Sequence, residues 1–181
     1  MNKSFATMNG STSPPLIVVM GVCGCGKTTI GTMLGQALGA DFIDGDKLHP
    51  KANVDKMASG SPLNDEDRRP WLRKVGEALD QSDSGRIIAC SALKRQYREQ
   101  ITEAAGRPVF FILLAGSKST LTERMKSRIG HFMPPALLDS QLQTLETPGD
   151  DEFAAVIDGD QSLDAVFEAA LHSVAGASKP Q

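Results

Sequence analysis

The segment Gly21-Val22-Cys23-Gly24-Cys25-Gly26-Lys27-Thr28 spells G-x-x-x-x-G-K-T, directly after the apolar run Leu16-Ile17-Val18-Val19-Met20 and before a helix-like stretch from Thr29 to Leu38. A strand, a glycine-rich loop and a helix in that order demand an α/β unit with the loop at a strand's carboxyl end. The residue types follow from the chemistry. Glycines let backbone N–H groups curl around phosphate oxygens, Lys27 reaches the β and γ oxygens, and Thr28 offers its hydroxyl to Mg²⁺. The following helix turns its positive dipole end toward the same anion. Gly21, Val22, Cys23, Gly24, Cys25, Gly26, Lys27, Thr28 and Thr29 are thus the expected cradle of a nucleoside triphosphate with Mg²⁺. A glycine-rich turn matching by accident would not carry a β-branched strand in front and a helix behind.

At 181 residues the chain can bury one full core, and no composition break separates two domains. Apolar runs recur at Leu16-Met20, Phe42-Ile43, Ile87-Cys90, Val109-Leu114 and Ala154-Ile157. Helical spacing or composition marks Lys27 to Leu38, Ala52 to Ala58, Asp65 to Gln81, Lys94 to Ala104, Ser119 to Arg128, Pro135 to Leu145 and Leu163 to Val174. This alternation predicts a parallel sheet covered on both faces. The expected organisation is a polar leader over 1–15, one domain over 16–175 and a tail over 176–181. Within the domain, 45–72 has no strand-like run and reads as a helical flap, and 118–140 as a lid region. Asn64 or Asp65 is the expected N-cap where the flap leads into its long helix.

Charge excludes some functions. With 19 basic and 22 acidic residues, a net of -3, the chain has no broad electrostatic footprint for nucleic acid or an anionic membrane. Its apolar runs are strand-sized, so a soluble, cytoplasmic protein is expected. Of the three cysteines, Cys23 and Cys25 lie inside the phosphate loop, where a bridge would distort the cradle. Cys25 stands near a helix N-terminus and two residues from Lys27, which favours its thiolate and predicts that alkylation there blocks nucleotide binding.

In open parallel sheets ligands sit beyond the carboxyl ends of strands. The third run ends at Cys90-Ser91 without the aspartate that phosphate-loop enzymes place on a neighbouring strand to organise Mg²⁺. Asp44-Gly45-Asp46 after the second run can take that duty. Asp44 is assigned to the metal side with Thr28, and Asp46, nearer the flap, to the base that faces an acceptor hydroxyl. The plain alternative is an Asp-Gly turn without chemistry. Arg124 and Arg128, four apart, share one helix face and suit the charge of a transferring phosphoryl group, although many helices carry such pairs only as solvated surface. Gly130-His131-Phe132 follows as a hinge and loop tip.

Further residues make the pattern more specific. Phe42 to Asp46, Leu48-His49-Pro50, Asn53, Lys56-Met57, Gly60, Pro62 to Asp65, Asp67-Arg68 and Pro70-Trp71-Leu72 closely resemble the signature of the gluconokinase family, the thermoresistant ATP-dependent D-gluconate kinases. So do Cys90 to Lys94, Tyr97-Arg98, Arg124, Arg128, Gly130-His131-Phe132, Gln141, Thr144-Leu145-Glu146 and Pro148. The resemblance runs from about Leu16 to Val174. It implies a nucleoside-monophosphate-kinase-like, three-layer α/β/α fold with a five-stranded parallel sheet, a homodimer, and transfer of the ATP γ-phosphate to the 6-hydroxyl of D-gluconate, which feeds the pentose phosphate pathway. A polyhydroxylated carboxylate needs cations and hydrogen bonders, and His49, Lys56, Arg68, Lys94, Arg98 and His131 are available, with Arg68 and Lys94 first, then Arg98, for the carboxylate. Trp71 is expected to pack the flap. Adenine is expected near Asp158-Gly159-Asp160-Gln161 and Arg124. Cys23 and Cys25 depart from the family, where serines are expected. Shikimate kinase shares the loop and a D-x-D but lacks the His49-Pro50 to Trp71 signature; a nucleoside monophosphate kinase would need a base pocket, and a guanine-nucleotide switch an N-K-x-D that is missing.

Overall fold

The computed structural model describes residues 15–127 and 135–177. The leader up to residue 14, the tail from 178, and Arg128 and His131 lie outside the described residues.

Five strands, β1 (Leu16–Met20), β2 (Asp41–Asp44), β3 (Arg86–Ala89), β4 (Phe110–Ala115) and β5 (Ala154–Asp158), form one parallel sheet in the order β2-β3-β1-β4-β5. Every residue of β1 is buried, as a central strand covered on both faces requires. Its side chains alternate between two cores. Leu16, Val18 and Met20 join Trp71, Leu72, Val75, Leu79, Tyr97 and Ile101 from α3 (Asp65–Asp80) and α4 (Arg95–Ala105). Ile17 and Val19 join Ile30 and Leu34 of α1 (Lys27–Leu38) and Val166, Ala170 and Val174 of α7 (Leu163–Gly176). Expected and observed elements agree, with ends shifted by one or two residues; Cys90 and Val109, for example, fall just outside their strands.

Two close approaches position the site. On α1, a Cβ at Gly31 would lie 2.5 Å from Cε2 of Phe42, and one at Gly35 3.0 Å from the Ala40 carbonyl, so the helix lies hard against β2. On the other face, a Cβ at Gly76 would lie 2.6 Å from that of Ala104, which records how closely α3 crosses α4.

After β2 the chain runs through a 3-10 turn (Gly45–Leu48) and α2 (Lys51–Ala58) into α3. Asn64 is the N-cap of α3 in a reciprocal box, its side chain accepting from the Asp67 N–H and the Asp67 carboxylate from the Asn64 N–H, both at 2.8 Å. After β4 come α5 (Lys118–Lys126) and α6 (Pro135–Thr144). Among the described residues no helix is long and apolar enough to cross a membrane.

Candidate active site

All five strands point the same way, so the segments following them converge on one edge of the sheet. The loop after β1 has Gly21, Gly24 and Gly26 at φ of 135°, 81° and 97°, a conformation that side-chain-bearing residues rarely adopt. Gly26 is the N-cap of α1, with no side chain closing the helix end. The Lys27 ammonium lies over the loop, donating to the carbonyls of Gly21 and Val22 at 3.0 and 2.9 Å. Cys25 lies within the fold, 3 % exposed, with its sulfur 4.0 Å from Lys27 Nζ. The Cys25 expected from the sequence to be reactive is therefore buried.

Asp44 ends β2 and caps the 3-10 turn, its Oδ1 accepting from the Asp46 N–H at 3.1 Å. Its Oδ2 accepts from the Thr28 hydroxyl at 3.2 Å, which brings the strand exit to the phosphate loop. Asp46 stands one step further out, exposed to solvent. Both carboxylates and Lys27 act electrostatically on Cys90 at the end of β3, whose thiol burial pushes up to about 12, so it stays protonated and inert. Thr28 and Asp44 form a hard-oxygen pair of the kind Mg²⁺ takes together with substrate phosphates. Among the described residues no cluster of three or more His, Cys, Asp or Glu side chains could hold a metal ion.

The 3-10 turn is anchored from below. Trp71, 3 % exposed, donates its indole N–H to the Gly45 carbonyl at 2.8 Å, and His49 stacks on the indole with ring centroids 4.1 Å apart. Burial lowers the His49 pKa, nearby Arg68 lowers it further and Asp46 opposes them, so the imidazole is neutral at neutral pH.

The basic residues divide. Arg68 and Lys94 come together on the ring of Tyr97, their charged centres 5.9 and 5.4 Å from its centroid. Lys94 also donates to both oxygens of Asp65 at 2.8 and 2.9 Å, while the Tyr97 hydroxyl donates to Asp65 at 2.5 Å. Those donors, Lys94 first, hold the Asp65 carboxyl down at about 2, and the Asp65 carboxylate raises Lys94 in turn. Arg68 donates to the Leu63 carbonyl. Lys56 is tied to Asp67 at 2.6 Å.

Arg98 differs from the expectation that it meets a ligand. It is 1 % exposed and grips Glu152 with two bonds of 2.6 and 2.7 Å, while its remaining nitrogen donates to the carbonyls of Ala92 and Glu146 at 3.3 and 3.1 Å. Its donors are spent inside the protein. Ala92 adopts φ of 42°, uncommon for a residue with a Cβ, and the Arg98 bond helps hold it there.

On the far side of the loop, Arg124 of α5 reaches the Gln161 carbonyl at 3.5 Å, and Asp160 accepts from the Ser117 N–H at 2.8 Å, linking α5 to the turn after β5. Gln141 of α6, for which the sequence suggests no role, accepts through its Oε1 from the Cys23 N–H at 2.6 Å. A polar residue on a helix face gives no sign of so distant a partner.

Residues 23–172 match the family model described as shikimate kinase. The gluconokinase of Gluconobacter oxydans (strain 621H) is 48% identical over 158 residues, covering 86% of this chain and 88% of that one. The thermoresistant gluconokinase of Escherichia coli (strain K12) is 41% identical, covering 88% and 93%. The crystal structure of a gluconokinase from Sinorhizobium meliloti 1021 superposes with a TM-score of 0.82 at 46% identity, over 90% of this chain and 93% of that one. A chain this similar along nearly its whole length, with its phosphate loop, D-G-D exit and His49 to Trp71 stack assembled at one edge of the sheet, belongs to the gluconokinase family, within the wider group that the shikimate kinase model describes.

Proposed function

We propose that the protein transfers the γ-phosphate of ATP to the 6-hydroxyl of D-gluconate, giving 6-phospho-D-gluconate and ADP. The observation that supports this reading is the contact of Thr28 with Asp44 beside an exposed Asp46, residue types that suit a metal pair and a base at the mouth of a phosphate loop. In this scheme the backbone from Gly24 to Thr29 receives the phosphates, and Lys27 turns its donors from the Gly21 and Val22 carbonyls to the β and γ oxygens. Mg²⁺, when bound, neutralises charge between those oxygens, and Thr28 and Asp44 are the residues that would hold it and its water. Asp46 orients the primary hydroxyl and takes its proton as the oxygen bonds to the γ-phosphorus and the bond to the ADP oxygen breaks.

Arg68 and Lys94, gathered on Tyr97, receive the gluconate carboxylate, and His49 contributes to the polyol. Lys56 supports them through Asp67, holding the start of α3. Arg124 is assigned to the transferring charge, as is Arg128 of the 118–140 lid, while His131 of that lid is assigned to the substrate, with adenine near Gln161. Residues 45–72 serve as the substrate flap. Arg98 is left out because its donors are spent on Glu152 and two carbonyls. A cytoplasmic homodimer completes the reading, and sedimentation of the purified chain tests the dimer.

The deciding experiment is an enzyme-linked ADP-release assay with ATP and Mg²⁺ across D-gluconate, shikimate, other aldonates and nucleoside monophosphates. Turnover confined to D-gluconate, lost in Asp46→Asn while nucleotide binding persists, is the expected result. Turnover of shikimate, or an active Asp46→Asn, refutes the substrate or the base respectively.

A further inference from the structure

Gln141 reaches across from α6 to the phosphate loop, and its half-buried carboxamide accepts from the Cys23 N–H at 2.6 Å. A backbone N–H only donates, so the carboxamide oxygen faces it and the two donors of Nε2 are turned elsewhere. Among the described residues no acceptor takes those donors.

The same part of the loop is seated on α5. A Cβ at Gly24 would lie 2.9 Å from Met125 Cγ and 3.1 Å from the Leu121 carbonyl. An ion pair of 2.6 Å between Lys118 and Asp139 joins α5 to α6. Two helices therefore grip the leading edge of the loop, Cys23 and Gly24, from outside. The trailing residues Lys27 to Thr29 are fixed differently, by the first turn of α1, where the inner phosphates of a nucleotide meet the helix dipole. The leading edge is left to meet the outer end of the triphosphate.

We propose that Gln141 is a positioning residue for the terminal phosphate: its oxygen pins the loop through Cys23, and its Nε2 donors face the γ-phosphate end. This rests on the reading of the protein as an ATP-dependent kinase. It distinguishes ATP from ADP, which a scaffold contact would not do.

The test uses the full chain, with binding of ADP and of a non-hydrolysable ATP analogue measured by calorimetry beside steady-state kinetics. For Gln141→Leu the expected result is an ATP-analogue affinity lower by about tenfold or more, ADP affinity within about twofold, and a kcat loss exceeding any change in gluconate KM. Gln141→Glu keeps an acceptor for Cys23 but replaces the donors with a negative charge. It should bind ADP normally, turn over slowly at neutral pH, and recover relative to the parent protein as falling pH protonates the new carboxylate. Equal weakening of ATP analogue and ADP in Gln141→Leu, no change in either, or a Gln141→Glu variant as fast as the parent overturns the proposal. If Gln141→Leu fails to fold, the glutamate variant alone decides. A parent protein that does not turn over D-gluconate would instead defeat the functional reading.

Discussion

Replacing Arg98 by methionine separates a structural cation from a substrate-binding one. The substitution keeps an unbranched apolar stem but deletes every donor of a guanidinium whose side chain is 2 % exposed, against a Glu152 side chain 12 % exposed. Glu152 would keep only its bond from the Gly149 N–H at 3.1 Å, and the Ala92 and Glu146 carbonyls would lose their donor. Removing one partner of a buried ion pair costs about 3–5 kcal/mol, a large part of the ~5–15 kcal/mol by which domains are stable. Urea unfolding followed by circular dichroism should show a midpoint lowered accordingly with an unchanged slope. On the folded enzyme at low temperature, gluconate KM should stay within about twofold of the parent value. The double variant Arg98→Met with Glu152→Met should regain the charge penalty and retain the deficit of the two carbonyls and the Gly149 N–H, about 1–3 kcal/mol for each group left without a partner. A stable Arg98→Met protein with a strongly raised gluconate KM would refute this reasoning and return Arg98 to the substrate site.

Gly76→Ala should cost about 1–3 kcal/mol in thermal unfolding despite a helix-propensity gain of ~1 kcal/mol, because its Cβ meets Ala104 at 2.6 Å; a stabilised protein contradicts the close helix crossing. Trp71→Phe removes the 2.8 Å bond to Gly45, so the turn carrying Asp46 loosens and kcat falls about tenfold while nucleotide affinity holds; unchanged kcat refutes the link. His49 takes its proton near 6.5 in the unfolded chain and at lower pH in the folded one, so the unfolded state binds more protons between those values. Stability should therefore fall as pH drops through that window, and His49→Gln should remove this part of the slope in urea midpoints measured against pH. Asp65 behaves alike in acid: its contribution is present above 3.8 and fades as pH falls through about 2, a dependence that Asp65→Asn abolishes.

The parts of the fold legible in the sequence are those with local causes. β1 announces itself by five apolar residues in a row, α1 by the phosphate loop before it, and the start of α3 by Asn64 ahead of three acidic residues. The pairing of side chains was not legible, since it depends on residues brought together only by folding. Arg98 and Glu152 lie 54 positions apart, and Gln141 and Cys23 118. Nothing in Tyr97-Arg98 distinguishes a tyrosine that seats two cations from an arginine that is buried beside it. Nor does composition mark Ala92 as the residue held at positive φ. For the same reason the sequence does not reveal that Lys56 and Lys94 each hold a carboxylate at the start of α3.

The absence of side chains at Gly31 and Gly35 bears on the distance between two oxygens that touch neither glycine. Phe42 fills the space those missing atoms leave, its ring edge lying where a Gly31 Cβ would stand 2.5 Å from it, so α1 can lie close to β2. Gly31 is three residues along α1 from Thr28, a rise of about 4.5 Å, and Phe42 is two residues before Asp44, so the spacer acts on both members of the 3.2 Å pair. A methyl group added at Gly31 would therefore push α1 away from β2 and alter the Thr28–Asp44 contact without touching either residue.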